Sequence, residues 1–222
     1  MANAERLDRE RVIKAAVELL DSDGLDALST RRLGTVLNSS PNVMYWHVGS
    51  MENLVGLATD QVFAELTLAI EGASWRDDLA QTARDLRLLF SRHPWLTEAF
   101  STHPRIHGPA IVRFQNHLLQ VCSRAGFEGF DLDWAGASVF TQVLGDAWGR
   151  TPSPMPKDRT TTPTEIVEQV RGDLADYPLL LERYEALANA DPGTVDEASF
   201  EFGLTVLLDG LQARLNQRPP AP

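Results

Sequence analysis

Apolar residues recur at helical spacing along this chain, and no segment sustains the period of two that a strand requires. Val12, Ala16, Leu19 and Leu20 stand at i, i+4, i+7 and i+8, one face of a helix. Asp23-Gly24 stops that helix, with Gly24 free to take a left-handed cap. Ser29 and Thr30 open a short second helix with Leu33, Val36 and Leu37 on one side. The stretch "NSSPN" is a turn. Ser40 can cap a brief third helix, about Pro41 to His47, whose first position suits proline. Gly49-Ser50 breaks it, and Ser50 is placed to cap a fourth helix through "MENLVGLATDQVFAELTLAI".

The same reading predicts helices near 76–91, 94–102, 108–125, 131–149, 165–172, 176–190 and 194–216. The fold class is therefore all-α. An N-terminal three-helix unit over 1–50 is followed by a larger helical body over 51–222. The proline-rich "TPSPMPKDRTTTPT", Thr151 to Thr164, reads as a loop within the body, and "QRPPAP" as a frayed tail.

Two late helices carry long stripes. One holds Trp134, Ala137, Ser138, Thr141, Gly145 and Trp148. The other holds Phe200, Leu204, Leu207, Leu208, Leu211 and Leu215. Each fits a core helix. Together they also fit a four-helix dimer interface, two helices from each chain.

The short helix, tight turn and second short helix of residues 30–47 have helix-turn-helix geometry, which can place the second helix in the DNA major groove. The net charge of −11 argues against a nucleic-acid partner only if it is spread evenly. Residues 1–50 hold six basic and seven acidic groups, net −1, so −10 falls on the other 172 residues. Arg31-Arg32 is a local basic spot at the start of the second helix. Arg31 can reach a guanine edge or a phosphate. Spacing alone leaves open a helical pair with no DNA role.

The string "ALSTRRLGTVLNSSPNVMYWHVGSMENLVGLA" resembles the DNA-binding domain of the tetracycline-repressor (TetR) family. The likeness continues through "ASWRDDL" and "RAGF" to "ASFEFGLTVLLDGLQARL", which looks like the dimer-forming final helix of the subclass nearest the family's namesake. The resemblance implies a homodimeric, ligand-responsive transcriptional regulator, a repressor on a palindromic operator that a small molecule releases. It implies that Thr30 contacts phosphate and Arg31 reads a base. Pro41, Asn42 and Val43 would face base edges, while Tyr45 and His47 hold phosphates with Trp46 partly packed between them.

Asn38 stands where the family usually has glycine, and asparagine tolerates a left-handed backbone. The lysine often found after "YWHV" is missing from Gly49 to Met51. The namesake's drug-holding positions fall on Thr82 and Leu86, and its metal-holding histidine on Phe100. These departures argue against a magnesium–tetracycline ligand. The body's candidate ligand-binding residues are Phe90, Phe100, His103, Phe114, His117 and Gln142, an aromatic set with a few polar groups.

The competing readings are an all-helical enzyme and a bundle that only binds proteins. No catalytic or phosphate-binding signature supports the first. Of His93, His103, His107 and His117 only His103 and His107 stand four apart, and Pro104 and Gly108 break any helix that would bring them onto one face, so neither cofactor nor metal is expected. Cys122 is the single cysteine, "MANAERLDRERVIK" lacks the apolar core of a secretory signal, and there is no apolar run of about 18 residues. Those features suit a reducing cytoplasm and no membrane partner.

Overall fold

Asp8 begins the first helix by accepting the Arg11 amide on its carboxylate, and α1 runs Arg9–Asp23. The computed structural model describes residues 7–70, 73–103, 106–150 and 162–217, with backbone alone for Pro41, Asn42 and Met44. Most of the expected proline-rich loop and tail therefore lie outside the described residues. Among the described residues there is no strand.

Gly24 ends α1 at φ 77, an angle that favours glycine, and the chain passes through the single turn Leu25–Ala27. Helix α2, Thr30–Leu37, is capped by Ser29, whose hydroxyl accepts the Arg32 amide. Thr30 is thus the first helical residue and not the cap. Three residues, Asn38 to Ser40, then turn the chain into α3, Pro41–Val48. Asn38 adopts φ 47, ψ 48, the left-handed conformation that glycine would otherwise supply.

Helix α4 spans Met51–Phe63, capped by the Ser50 hydroxyl. It is shorter than the apolar run suggested. Ala64, Glu65 and Leu66 close it with tight i→i−3 bonds, and Thr67 to Ile70 are not helical. The body continues with α5 (Trp75–Arg92), α6 (Trp95–Thr102), α7 (Pro109–Ala125) and α8 (Gly129–Arg150). Then come α9 (Pro163–Val170), α10 (Pro178–Ala188) and α11 (Pro192–Asn216). Thr162 and Glu165 form a reciprocal capping box, so a helix begins inside the segment expected to be a loop.

One compact unit holds α1 to α8 and the end of α11 from Gly210. The other holds α9, α10 and the rest of α11. In the first unit the head has its own core of Val12, Ala15, Ala16, Leu19, Leu33, Val48 and Leu54. Leu33 is the one fully buried residue that α2 contributes, since Val36 is exposed and Leu37 half-buried. Leu54 shows that the first turns of α4 belong to this core, beyond residue 50.

Candidate nucleic-acid interface and body cavity

Helix α3 is short, and its inward side is anchored by Val48, 3% exposed. With 100° between successive residues, Tyr45, Trp46 and His47 cannot all follow Val48 inward. Tyr45 and Val43 are exposed and His47 is half-buried. Trp46 is 83% exposed, so it is not packed as the sequence suggested. Its only described ring contact is the edge of His47, with centroids 4.9 Å apart. The backbone places Pro41 and Asn42 in the first turn of the same helix. Thr30 and Arg31 stand at the start of α2. Arg32 is held by Asp23 at 2.6 Å, while Arg31 is exposed and has no ion pair among the described residues. One surface thus carries a guanidinium, a phenol, an indole and an imidazole, on short helices fixed from behind by Leu33 and Val48. Such groups can position a duplex through its phosphates and read base edges.

Two carboxylates, one on α1 and one near the end of α4, fasten these helices to the body helices of the first unit. Asp21 of α1 lies between α5 and α6. Its Oδ1 accepts from Trp95 Nε1 and is 2.7 Å from His93 Nδ1, so that ring nitrogen carries the proton. Glu65, just past α4, stands 3.5 Å from the other ring nitrogen. Farther along, Asp60 of α4 accepts the Ala110 and Ile111 amides at 2.8 and 3.0 Å and so caps α7. Gly108 lies so close to that carboxylate that a Cβ there would collide with it.

A cavity of about 370 Å³ opens between α4, α6, α7 and α8. Phe63, Phe100, Phe114 and Phe140 form its aromatic wall, with Ile106, Ile111, Leu118 and Leu119 beside them. Gln115 and Asp133 are its polar lining, and Gly136 and Ala137 complete it on α8. The rings touch edge to face: Phe63 lies 5.6 Å from Phe100 and 5.4 Å from Phe114, and Phe100 lies 5.2 Å from Phe140. Gly136 of α8 packs on Leu118 of α7, where a Cβ would stand at an ordinary contact distance of 3.4 Å.

Of the six residues expected to bind ligand, Phe100 and Phe114 line this cavity. Phe90 stacks behind Phe100 at 6.0 Å. His103 ends α6, with its amide on the Ala99 carbonyl and its ring 2.9 Å from the Thr102 hydroxyl. Gln142 borders the open side of α8 beside Trp134 and Thr141. His117 is buried on the opposite side of α7, with Nε2 2.8 Å from the Thr82 hydroxyl. Thr82 donates to the Asp78 carbonyl, so it accepts from His117 Nε2–H, and the imidazole is a packing element. Helical phase explains His117 on α7 and Gln142 on α8, whereas Phe90 belongs to α5, outside the wall described, and His103 follows the last turn of α6. Phe63, Gln115, Asp133 and Phe140 were missed. Asp133, Gly136, Ala137 and Phe140 recur at i, i+3, i+4 and i+7, a signal that the exposed stripe of the same helix obscured.

Burial holds the His117 pKa below the ordinary histidine value, with Asp78 opposing in part. The folded chain therefore prefers the neutral ring. The unfolded chain takes up the proton first as pH falls below about 6.5, so stability present at neutral pH declines from there down through the lower folded value. Thermal melts from pH 7.5 to 5 should show this decline, and His117→Gln should flatten it; an unaltered profile would remove His117 as the cause. Burial also pushes the Cys122 thiol up to about 11, which leaves it a packing residue at neutral pH.

The long stripes separate cleanly in three dimensions. Phe200, Leu204 and Leu208 are buried within the single chain, so that face of α11 is core. On α8, Phe130, Trp134, Ala137, Thr141, Gly145 and Trp148 are all exposed, with Trp134 at 63% and Trp148 at 71%. Phe202, 74% exposed, and Val206 form the outward apolar pair of α11.

Residues 69–215 match the family model described as "Tetracyclin repressor-like, C-terminal domain". An HTH-type transcriptional regulator from Saccharopolyspora erythraea is 34% identical, covering 93% of this chain and 85% of its own length. The tetracycline repressor protein class D of Escherichia coli is 35% identical over 95% of this chain and 91% of that protein. The fold is that of the Streptomyces coelicolor TetR family protein ActR, solved with actinorhodin, at a TM-score of 0.77 and 24% identity, covering 96% of this chain and all of that one. Among the described residues no helix is long and apolar enough to cross a membrane. With its helix-turn-helix head and its matching helical body, this chain belongs to the tetracycline-repressor family of transcriptional regulators.

Proposed function

We propose that this chain is a homodimeric, ligand-responsive repressor, that its α2–α3 surface binds a palindromic operator, and that a small molecule in the body cavity releases it. The observation that carries the reading is the outward set of Arg31, Tyr45 and Trp46 on helices whose inward residues, Leu33 and Val48, are fully packed. A guanidinium, a phenol and an indole exposed on two short helices suit phosphate and base-edge contacts. Thr30, Tyr45, Trp46 and His47 position the duplex, and Arg31 with Pro41, Asn42 and Val43 selects sequence. The exposed stripe of α8 forms the dimer contact, and Phe202 and Val206 of α11 offer the partner a second apolar surface. The DNA-reading head comprises residues 1–50 together with the first turns of α4, and the remainder binds ligand and dimerises. Such a protein acts where the DNA is, in the cytoplasm, and needs neither cofactor nor catalysis.

Helix α4 supports a mechanism. Leu54 sits in the head core and Phe63 in the cavity wall, nine residues or about 13 Å apart on one rigid element. Asp60, between them, fixes α4 to α7. A ligand that favours one position of Phe63 therefore biases the spacing of the two heads. A 100-fold loss of operator affinity requires a coupling of about 2.7 kcal/mol, within the usual range.

Arg31→Ala should cost about 1–3 kcal/mol of operator affinity and relax selection at one base pair. Gel-shift titration on a duplex selected from a random library reads both. Unchanged affinity and selectivity would remove Arg31 from base reading.

A further inference from the structure

The cavity's lining is chemically lopsided. Four phenylalanine rings offer faces and edges but no hydrogen bonds. Against them stand one amide, Gln115, and one carboxylate, Asp133, the only ionisable group among the described lining residues. The neighbouring carboxylates are each engaged. Asp131 is met by Arg214 at 3.3 Å, Asp60 caps α7, and Asp146 is held by Arg87 and Arg150. Asp133 has no hydrogen bond or ion pair among the described residues. It is exposed, so it stands at the rim with Phe140 two turns along on the same face of α8. The volume, about 370 Å³, is at the small end of ligand sites and fits a compact multi-ring molecule.

Charge points the same way. A carboxylate at the rim and aromatic faces within attract a cation twice over, through the ion pair and through the ring quadrupoles. The acid surplus of residues 51–222, −10, raises the local concentration of cations and repels anions.

Resting on the reading of this cavity as the effector site, we propose that it selects flat aromatic molecules bearing a positively charged amine. The rings lie against Phe63, Phe100, Phe114 and Phe140, the ammonium rests on Asp133, and Gln115 meets a ring heteroatom. A second carboxylate is not needed, and an acid on the ligand is excluded.

Three acridines of one ring size separate the contributions: 9-(aminomethyl)acridine carries an ammonium at neutral pH, acridine is neutral, and acridine-9-carboxylate is an anion. Calorimetric titration into the full-length protein, without DNA because these dyes intercalate, measures each. The cation should bind about tenfold more tightly than acridine, the scale of an ammonium held by a carboxylate and aromatic faces together, and the anion least. Asp133→Asn, an exposed and near-isosteric change, should cut the tenfold preference to the smaller part that the ring faces supply and leave acridine affinity as it was. If both bind equally and Asp133→Asn alters neither, the charge selectivity is overturned while the cavity remains the effector site. If the anion binds best, the selectivity is likewise overturned. If no acridine binds, the selectivity and the effector-site reading both fall.

Discussion

Trp134→Asp combined with Trp148→Asp should convert the protein to monomers in light scattering and cost operator affinity about 100-fold or more, because two linked heads are reduced to one. Both indoles lie on the outward stripe of α8, where the first stacks on Phe130 at 5.9 Å and small residues separate it from the second. Circular dichroism should be unchanged, since neither side chain is part of the chain's own core. Leu208→Asp is the contrasting variant. Leu208 is only 3% exposed, so a carboxylate there is buried without a partner, at a cost of several kcal/mol. It should lose helical signal and not merely dissociate. A folded dimer after the double tryptophan change would mean that α8 is not the interface.

Leu33→Ala should destabilise the head by about 2–5 kcal/mol, the range for a fully buried leucine. Leu33 is wholly inaccessible and is the residue through which α2 is pinned to α1, against Val12, Ala16 and Leu19. Helix α2 has only eight residues, too few to persist without that anchor. Loss of the anchor frees the platform behind α3, so operator binding should fall with stability although no DNA-facing atom has changed. Differential scanning calorimetry with a parallel gel shift tests it. A melting profile equal to the wild type would contradict the anchoring of α3 through Leu33.

Much of the fold was legible because helix signals are local. Ser29 and Ser50 cap the helices they were expected to open, and Asn38 takes the left-handed turn expected of it. The end of α4 was not legible, since "ELTLAI" has helical composition and its exit depends on packing around Leu66, which is buried. The surface of α3 was legible as a set of residues, but not the full exposure of Trp46, because periodicity cannot say how far a short helix is covered. The cavity was least legible. Phe100 and Phe114 were found as aromatics on the right helices, whereas His117 and Gln142 required knowing the rotation of α7 and α8. The two tryptophans of α8 and the leucines of α11 gave similar stripes, and only the packed chain shows that one is outside and the other inside.

The most direct measurement is the salt dependence of binding to a palindromic duplex selected by the purified protein. A DNA-reading dimer should bind each duplex once, with a steep linear fall of log affinity against log salt and a slope of several units. Tyr45→Phe should weaken binding without changing that slope, because a phenol–phosphate contact carries no charge and releases no counterion. Affinity that is indifferent to salt, or equal for the palindrome and a scrambled duplex, would contradict operator binding by the α2–α3 surface.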